Sequence, residues 1–437
     1  MIAHNQTNHQ HRPVAVFWGL SSFEMLAMFR RGLFYAYLSI YLRHFLGMSV
    51  TETTLFATFP MVANVLCQTF VWGTISDRFQ LRRTLIIYGE ALAGIGTVMV
   101  WYAHTLTAQR SHAGWVLIAG LTVVELFWSM SNVGWSALIS DIYSAQDRNK
   151  IQGRLASVGG MGRLAGVWIG GLLYDGMGHY YSGWGFQQGA LFFVAAGVMF
   201  FSIAPMLLVP EGGILTNAPE AVDLGERTES GSDRLFVVFL MAMTLINFGR
   251  NSIAIIIPQY LTLESGFAVS SQMLSYIVNT QSAAIILTGL VSGWFGRRIG
   301  NGPSLLLGSI VAIVAIVLLA QSDSLVVIFG LNVLRGFSDV IILATSYAFA
   351  SVLMPPAKRA RYFGWFNATF FLSWGVAGTL MTGPVTDVMI NRGYAEATAY
   401  RTAFVSASVL TLLGVIILGM LLWTMRGKAN NKDHSRA

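Results

Sequence analysis

Eight ionisable residues interrupt stretches of sequence that are otherwise apolar: Glu24, Arg30, Arg31, Glu125, Arg163, Arg250, Arg335 and Asp339. A charged side chain at the centre of a membrane helix costs about 2.5–3.5 kcal/mol on insertion scales, so each one needs a partner or a task. The planar fork of arginine grips a carboxylate or phosphate through two parallel hydrogen bonds and stays charged at any working pH. A membrane-embedded glutamate can carry protons. Glu24, Met28 and Arg31 follow an i, i+4, i+7 pattern and share one helix face. Glu24 and Arg31 stand two turns apart, about 10.5 Å along the axis. That is far for a tight pair, yet close enough for both to meet one ligand or water. Arg30 points roughly 100° away, so one arginine can face a cavity while the other meets a neighbouring helix.

Structural roles compete with functional ones. Arg335 and Asp339, spaced i, i+4, can neutralise each other within one helix. Glu125 can pair with Arg30 or Arg163. Arg163 lies in GGMGRLAGVWIGG, Gly159–Gly171, whose small residues read as close helix packing. These readings give Arg163, Arg335 and Asp339 a gating or charge-network role. Arg31 and Arg250 resist them and are expected to hold an anion, with Arg30 in support. Glu24 or Glu125 would carry a coupling proton. Phe34, Tyr35, Trp128 and Trp135 are candidate cavity walls.

Other chemistries lack their motifs. The sequence has no Walker loop, no HExxH, no GxSxG and no spacing suited to a metal. No catalytic residue, cofactor or metal ligand is assigned, the chain reads as a non-enzyme, and its energy source must be an ion or exchange gradient. Cys67 is the single cysteine, and it reads as a small core hydrophobe. The opening MIAHNQTNHQHR has no apolar core typical of a signal peptide. Its irregularly spaced histidines read as a solvated tail.

The elements that must position these charges are membrane spans. Of 437 residues, 54% are hydrophobic and 11% charged, against about 25% charged in soluble domains. A span needs about 20 apolar residues. Twelve candidates follow: 14–42, 53–75, 84–105, 114–139, 153–174, 188–209, 235–261, 272–295, 304–321, 326–352, 362–386 and 401–425. A polar segment rich in Gly, Pro, Ser and acids, Pro210–Arg234, reads as a flexible linker. It divides the chain into halves 1–209 and 235–437, the second ending in a short tail. The net charge of +7 comes from basic residues in short loops, which argues for membrane orientation over nucleic acid. Arg12, Arg78, Arg82, Arg83, Arg148, Lys150, Arg154, Arg227, Arg234, Arg297, Arg298, Lys358, Arg359, Arg361 and the basic tail fall on one side. Only Arg43, Arg110, Arg392 and Arg401 fall on the other. Both termini and the linker are therefore expected in the cytoplasm, with the chain in the inner (plasma) membrane as a monomer.

The halves repeat. Phe29, Arg31, Tyr41 and Leu42 match Phe248, Arg250, Tyr260 and Leu261 at one constant offset. In the fourth and tenth spans, Ala119–Ser129 aligns with Phe329–Asp339, which sets Glu125 opposite Arg335. Repeats of this kind place a binding site at their interface near the midplane, with access alternating as the halves rock.

Between spans two and three lies GTISDRFQLRR, Gly73–Arg83, and GWFGRRIGN, Gly293–Asn301, occupies the matching place in the second half. Gly73, Asp77, Arg78, Arg82 and Arg83 resemble the signature loop of the major facilitator superfamily, although Phe79-Gln80-Leu81 replaces its usual glycine spacing. The second copy lacks the aspartate. The resemblance covers the whole chain and implies twelve helices in two pseudosymmetric halves, with helices 1, 4, 7 and 10 lining the cavity. It also implies that the loop is a conformational latch, with Asp77 pairing with helix dipoles or basic groups in one state. Gly73 would permit close helix packing.

Arg30 or Arg31 with Arg250 is similar to the organophosphate:phosphate antiporters, which hold phosphate with basic residues on helices 1 and 7. Helix 5 here carries Arg163 where those proteins use a histidine. Glu24 is similar to the membrane acid of proton-coupled drug antiporters, although Glu125 stands where they carry an arginine. The expectation is a secondary transporter, symporter or antiporter, moving a small organic anion with proton or exchange coupling. A proton-coupled multidrug exporter is the alternative.

Overall fold

The computed structural model describes residues 13–143, 145–213, 233–354 and 359–434. The histidine-bearing start and residues 214–232 of the linker lie outside them. The described residues form an all-α membrane protein with no strand among them. Its twelve long helices match the twelve expected spans. They are α1 (Pro13–Ile40, continued by a π-helical turn, Tyr41–Phe45), α2 (Val50–Phe79), α3 (Arg83–Thr105), α4 (Arg110–Ile142), α5 (Ala145–Tyr174) and α6 (Ala190–Met206). The second six are α7 (Arg234–Leu261), α8 (Ser271–Ile299), α9 (Asn301–Gln321), α10 (Leu325–Leu353), α11 (Arg359–Gly375, then Gly378–Thr382 and Gly383–Asn391) and α12 (Glu396–His434). Eight of them are long and apolar enough to cross a membrane on composition alone.

With no hydrophobic drive between helices inside lipid, close backbone approach has to supply the contact. The α1–α5 pair shows how. Gly162, Gly166 and Gly170 recur every four residues along one face of α5, and a Cβ there would run into the carbonyl oxygens of Met25, Phe29 and Leu33. The fit is reciprocal, since a Cβ on Gly32 of α1 would lie 2.5 Å from the Arg163 carbonyl. The small-residue stretch of α5 is therefore a packing seam, and it fixes the helix that carries Arg163 against the helix that carries Glu24, Arg30 and Arg31.

The halves meet mainly on the face opposite the one where α1 begins. The π-helical end of α1 supplies Arg43, which pairs with Glu396 at 3.0 Å, and His44, whose Nε2 lies 3.1 Å from the Gln259 carbonyl. Asp387 of α11 accepts the backbone N–H groups of Val50 and Thr51 at 2.9 and 2.8 Å, so it caps the start of α2 from the other half. Gln259 donates to Thr53 at 2.9 Å, Thr54 and Thr58 each bond Thr379 at 2.7 Å, and Ser271 donates to Asp175 at 2.8 Å. The hydrogen bonds between halves among the described residues all use the later part of α1 and α5 or the earlier part of α2. The hydrogen bonds between the halves are thus gathered on this far face.

Two measurements test these contacts. Gly166→Ala is expected to lower stability by about 1–3 kcal/mol or more, read as thermal unfolding in detergent, whereas Gly153→Ala, whose Cβ would meet nothing within 4 Å, should be neutral. Asp387→Ala is expected to loosen the far face. Labelling of Thr54→Cys in a Cys67→Ser background should then rise, and unchanged labelling would show that the cap does not hold the closure.

Candidate functional site

The charged cluster of the first half is built around Glu90 of α3, which is 1% exposed. Its Oε1 accepts from Trp128 Nε1 and from Ser131 Oγ, both at 2.9 Å, and its Oε2 accepts from Arg30 Nη1 at 3.4 Å. The guanidinium carbons of Arg30 and Arg31 lie 4.0 and 4.4 Å from the centre of the Trp128 ring. Both arginines thus gain a cation–π contact from one indole. Arg30 is buried and committed to Glu90, while Arg31 has no acid within ion-pair distance among the described residues. Arg30 is the helix-facing arginine and Arg31 the cavity-facing one.

Glu125 is buried on α4 and accepts from Asn64 Nδ2, whose Oδ1 accepts in turn from Gln68 Nε2 at 2.5 Å. Neither of its expected partners, Arg30 or Arg163, is paired with it. Arg30 goes to Glu90 because α3 packs against α4 and brings that carboxylate to the indole and hydroxyl of α4.

In the second half, Arg250 Nη1 pairs with Asp339 Oδ1 at 2.6 Å, and Arg250 Nε donates to Asn247 at 3.1 Å. Asp339 Oδ2 accepts from Gln281 at 2.9 Å. The i, i+4 pair of Arg335 with Asp339 does not form, since Arg335 donates instead to Asn332 at 3.1 Å. Asp339 turns to α7 and α8, where an arginine and an amide together satisfy both of its oxygens.

Arg163 is solvent-accessible on α5 and forms no ion pair or hydrogen bond among the described residues. Asp339 from the second half and Arg31 from the first both act on its charge. Next to it, Asn279 of α8 donates to the Leu164 carbonyl at 3.0 Å.

Two cavities reach these groups. One, of about 120 Å³, is lined by Glu24, Met28, Arg31, Trp128, Asn132 and Trp135, with Glu90 behind them. A smaller one, of about 20 Å³, is lined by Arg250, Asn251, Gln281, Arg335, Asp339 and Trp374. Trp128 and Trp135 are walls, as expected. Phe34 is not, being buried edge-on against Phe186 and Phe192, and Tyr35 stacks on Phe56.

At the turn between α2 and α3, Arg82 pairs with Asp77 at 3.2 Å and Asp141 at 3.1 Å and also donates to Ser76. Arg83 pairs with Glu211 at 3.3 Å, and Arg78 lies over its neighbour Phe79. Glu211 also accepts from the backbone N–H groups of Arg82 and Thr84, so the linker begins as a fixed strap and not as free chain. A Cβ on Gly73 would meet the carbonyl of Gln68 in its own helix at 2.7 Å. This glycine serves the π-helical turn at Gln68–Trp72, not packing between helices.

The Major Facilitator Superfamily model matches residues 20–378 and 239–437. The chain belongs to that superfamily. It is similar to the uncharacterized MFS-type transporter YqjV of Bacillus subtilis (strain 168), with 20% identity over 338 residues, 75% of this chain and 76% of that one. Among solved structures it resembles a bacterial homolog of the human lysosomal transporter Spinster in its inward-facing, unoccupied conformation, with a TM-score of 0.72 at 15% identity, covering 94% of this chain and 97% of that one. It also resembles the nucleoside transporter NupG, with a TM-score of 0.71 at 13% identity and coverages of 93% and 99%. These structural likenesses establish the fold.

Glu90, Asn64, Asp141, Glu211 and Asp387 were not among the residues expected from sequence. Glu90 had a readable signal, a lone acid inside LIIYGEALAGIG, and an ionisable residue in such a run is a functional candidate by default. The others had none, because their partners lie on distant helices. Breaking a buried ion pair on one side is expected to cost about 3–5 kcal/mol. Glu90→Gln should therefore destabilise the protein by that order, and Glu90→Gln combined with Arg30→Met should recover much of it, both read by thermal unfolding. No recovery in the double variant would show that Glu90 acts through Trp128 and Ser131 alone.

Proposed function

We infer that this superfamily transporter moves a small organic anion, a carboxylate or phosphate ester, by alternating access. The observation that carries this reading is the set of arginines embedded in the spans that have no acid partner among the described residues: Arg31 and Arg163 from the first half and Arg335 from the second. Uncompensated guanidinium groups in a low-dielectric cavity favour an anion that restores the balance. Arg250 joins the site conditionally. Asp339 holds it in this state, and a substrate anion that displaces this carboxylate would couple binding to a rearrangement between α7 and α10. Arg30 supports the site through Trp128. Glu125, held by an amide and by no cation, is the proton carrier in this reading.

The orientation that accompanies this reading puts both termini in the cytoplasm of an inner-membrane monomer. Residues 1–209 and 235–437 are then the rocking halves and 210–234 the cytoplasmic connection. With the far face closed, this state is inward-open. The second reading, export of lipophilic cations, draws support from Glu24 lying beside Trp135 and Phe23 in one cavity.

Uptake into proteoliposomes with panels of organic anions and lipophilic cations separates the two readings. A hydrogen bond to a charged group contributes about 1.5–3 kcal/mol, so Arg31→Ala and Arg335→Ala should each weaken anion transport by roughly ten- to a hundredfold. Glu125→Gln should remove the response to a pH gradient. Anion uptake indifferent to both arginine variants would overturn the anion site, and saturable cation efflux without any anion response would favour the exporter.

A further inference from the structure

The larger cavity holds a second unpaired charge, and it is negative. Glu24 makes no ion pair or hydrogen bond among the described residues. Its Oε1 would lie 3.0 Å from a Cβ on Gly159, so the carboxylate rests beside a position with no side chain and no donor. The other acids of the charged cluster within the spans of this half are engaged, Glu90 by Arg30, Trp128 and Ser131, and Glu125 by Asn64. The cations divide in the same way, since Arg30 is consumed by Glu90 and Arg31 is not. One cavity wall therefore presents a free carboxylate and a free guanidinium on the same face of one helix, two turns and about 10.5 Å apart along its axis.

The two form no ion pair, and the helix holds their backbones two turns apart. An anion alone would satisfy Arg31 but leave Glu24 without a partner, and it would be repelled by it. A cation alone would leave Arg31 in the same position. A ligand carrying both charges compensates both groups at once, and each half-occupied alternative leaves a partly buried charge unpaired. The aromatic surroundings fit this division. Phe23 and Trp135, whose rings lie 5.0 Å apart, line the cavity with Glu24, and aromatic faces attract ammonium groups.

We propose that the ligand is zwitterionic: an anionic head held by Arg31, and an ammonium group held by Glu24 against Phe23 and Trp135. The proposal rests on the anion reading of the site and narrows it. It also gives Glu24 a recognition task and leaves proton transfer to Glu125. The ammonium end points along α1 toward its N-terminal end, because Glu24 precedes Arg31.

The test is equilibrium binding to the full-length protein in nanodiscs, with matched probes. These are ω-aminohexanoate against hexanoate and hexylamine, and phosphoethanolamine against ethyl phosphate, so that carboxylate and phosphate heads are compared separately. The wild-type protein should bind an amino-bearing member roughly tenfold or more tighter than its plain anion, and Glu24→Gln should erase that ratio. Glu24→Asp retracts the carboxylate by one methylene while keeping its charge, and should move the preference to the next longer ω-amino acid. Equal affinity of amino-bearing and plain anions in the wild type, or a ratio untouched in Glu24→Gln, would overturn the proposal while leaving the anion site standing. Tight hexylamine binding with no contribution from any anionic head would overturn both.

Discussion

The Glu90 carboxylate makes the charged interior of the first half possible. Two adjacent arginines on one membrane helix would be costly if each stood alone. Glu90 takes one of them as an ion pair and orients Trp128 through its indole N–H, and the face of that indole then receives both guanidinium groups. Three helices are tied by this one group, since Arg30 comes from α1, Glu90 from α3, and Trp128 and Ser131 from α4. Because Arg30 is consumed there, Arg31 is left facing the cavity. The asymmetry between two neighbouring residues of the same type follows from which of them reaches the acid.

The second half solves the same problem differently. Asp339 pairs with Arg250 and accepts from Gln281, so the acid that could have neutralised its own helix neighbour bridges three helices. Arg335 is then the unpaired cation. The two halves share a fold and the placement of Arg31 with Arg250, but their charge networks are not copies. The repeat sets where arginines enter, and local partners decide which of them remains available. Arg163 is delivered by the glycine seam that locks α5 to α1. The seam and the site are therefore one construction. The spacing of Gly162, Gly166 and Gly170 that lets backbones touch also fixes the helix carrying Arg163 against the helix carrying Arg31.

Polar contacts on the far face include several that use the backbone. Asp387 caps α2, His44 meets the Gln259 carbonyl, and Ser271 meets Asp175 and the Gly171 carbonyl. Contacts of this type are individually modest and exchangeable with water. The buried apolar clusters within each half are not of that kind. A third apolar cluster crosses the seam, joining Tyr37 and Tyr41 of the first half with Ile256, Leu274 and Phe404 of the second, so the far face is held by apolar packing as well as by hydrogen bonds.

By itself the sequence determined the class, the twelve spans, the repeat, the packing stretch on α5 and the identity of most charged residues that line the two cavities. These are local properties. Apolar length, small-residue spacing and the rarity of charge in such segments are read one segment at a time. Tertiary structure alone decided the pairings. Arg30 with Glu90, Asp339 with Arg250 in place of Arg335, Glu125 with Asn64 and Asp387 with the start of α2 each join residues from different helices. No periodicity in one segment carries the rotation of another about its axis. The division of like residues into engaged and free, Arg30 from Arg31 and Glu90 from Glu24, depends on that rotation, because a displacement of a few ångströms decides whether an ion pair forms at all.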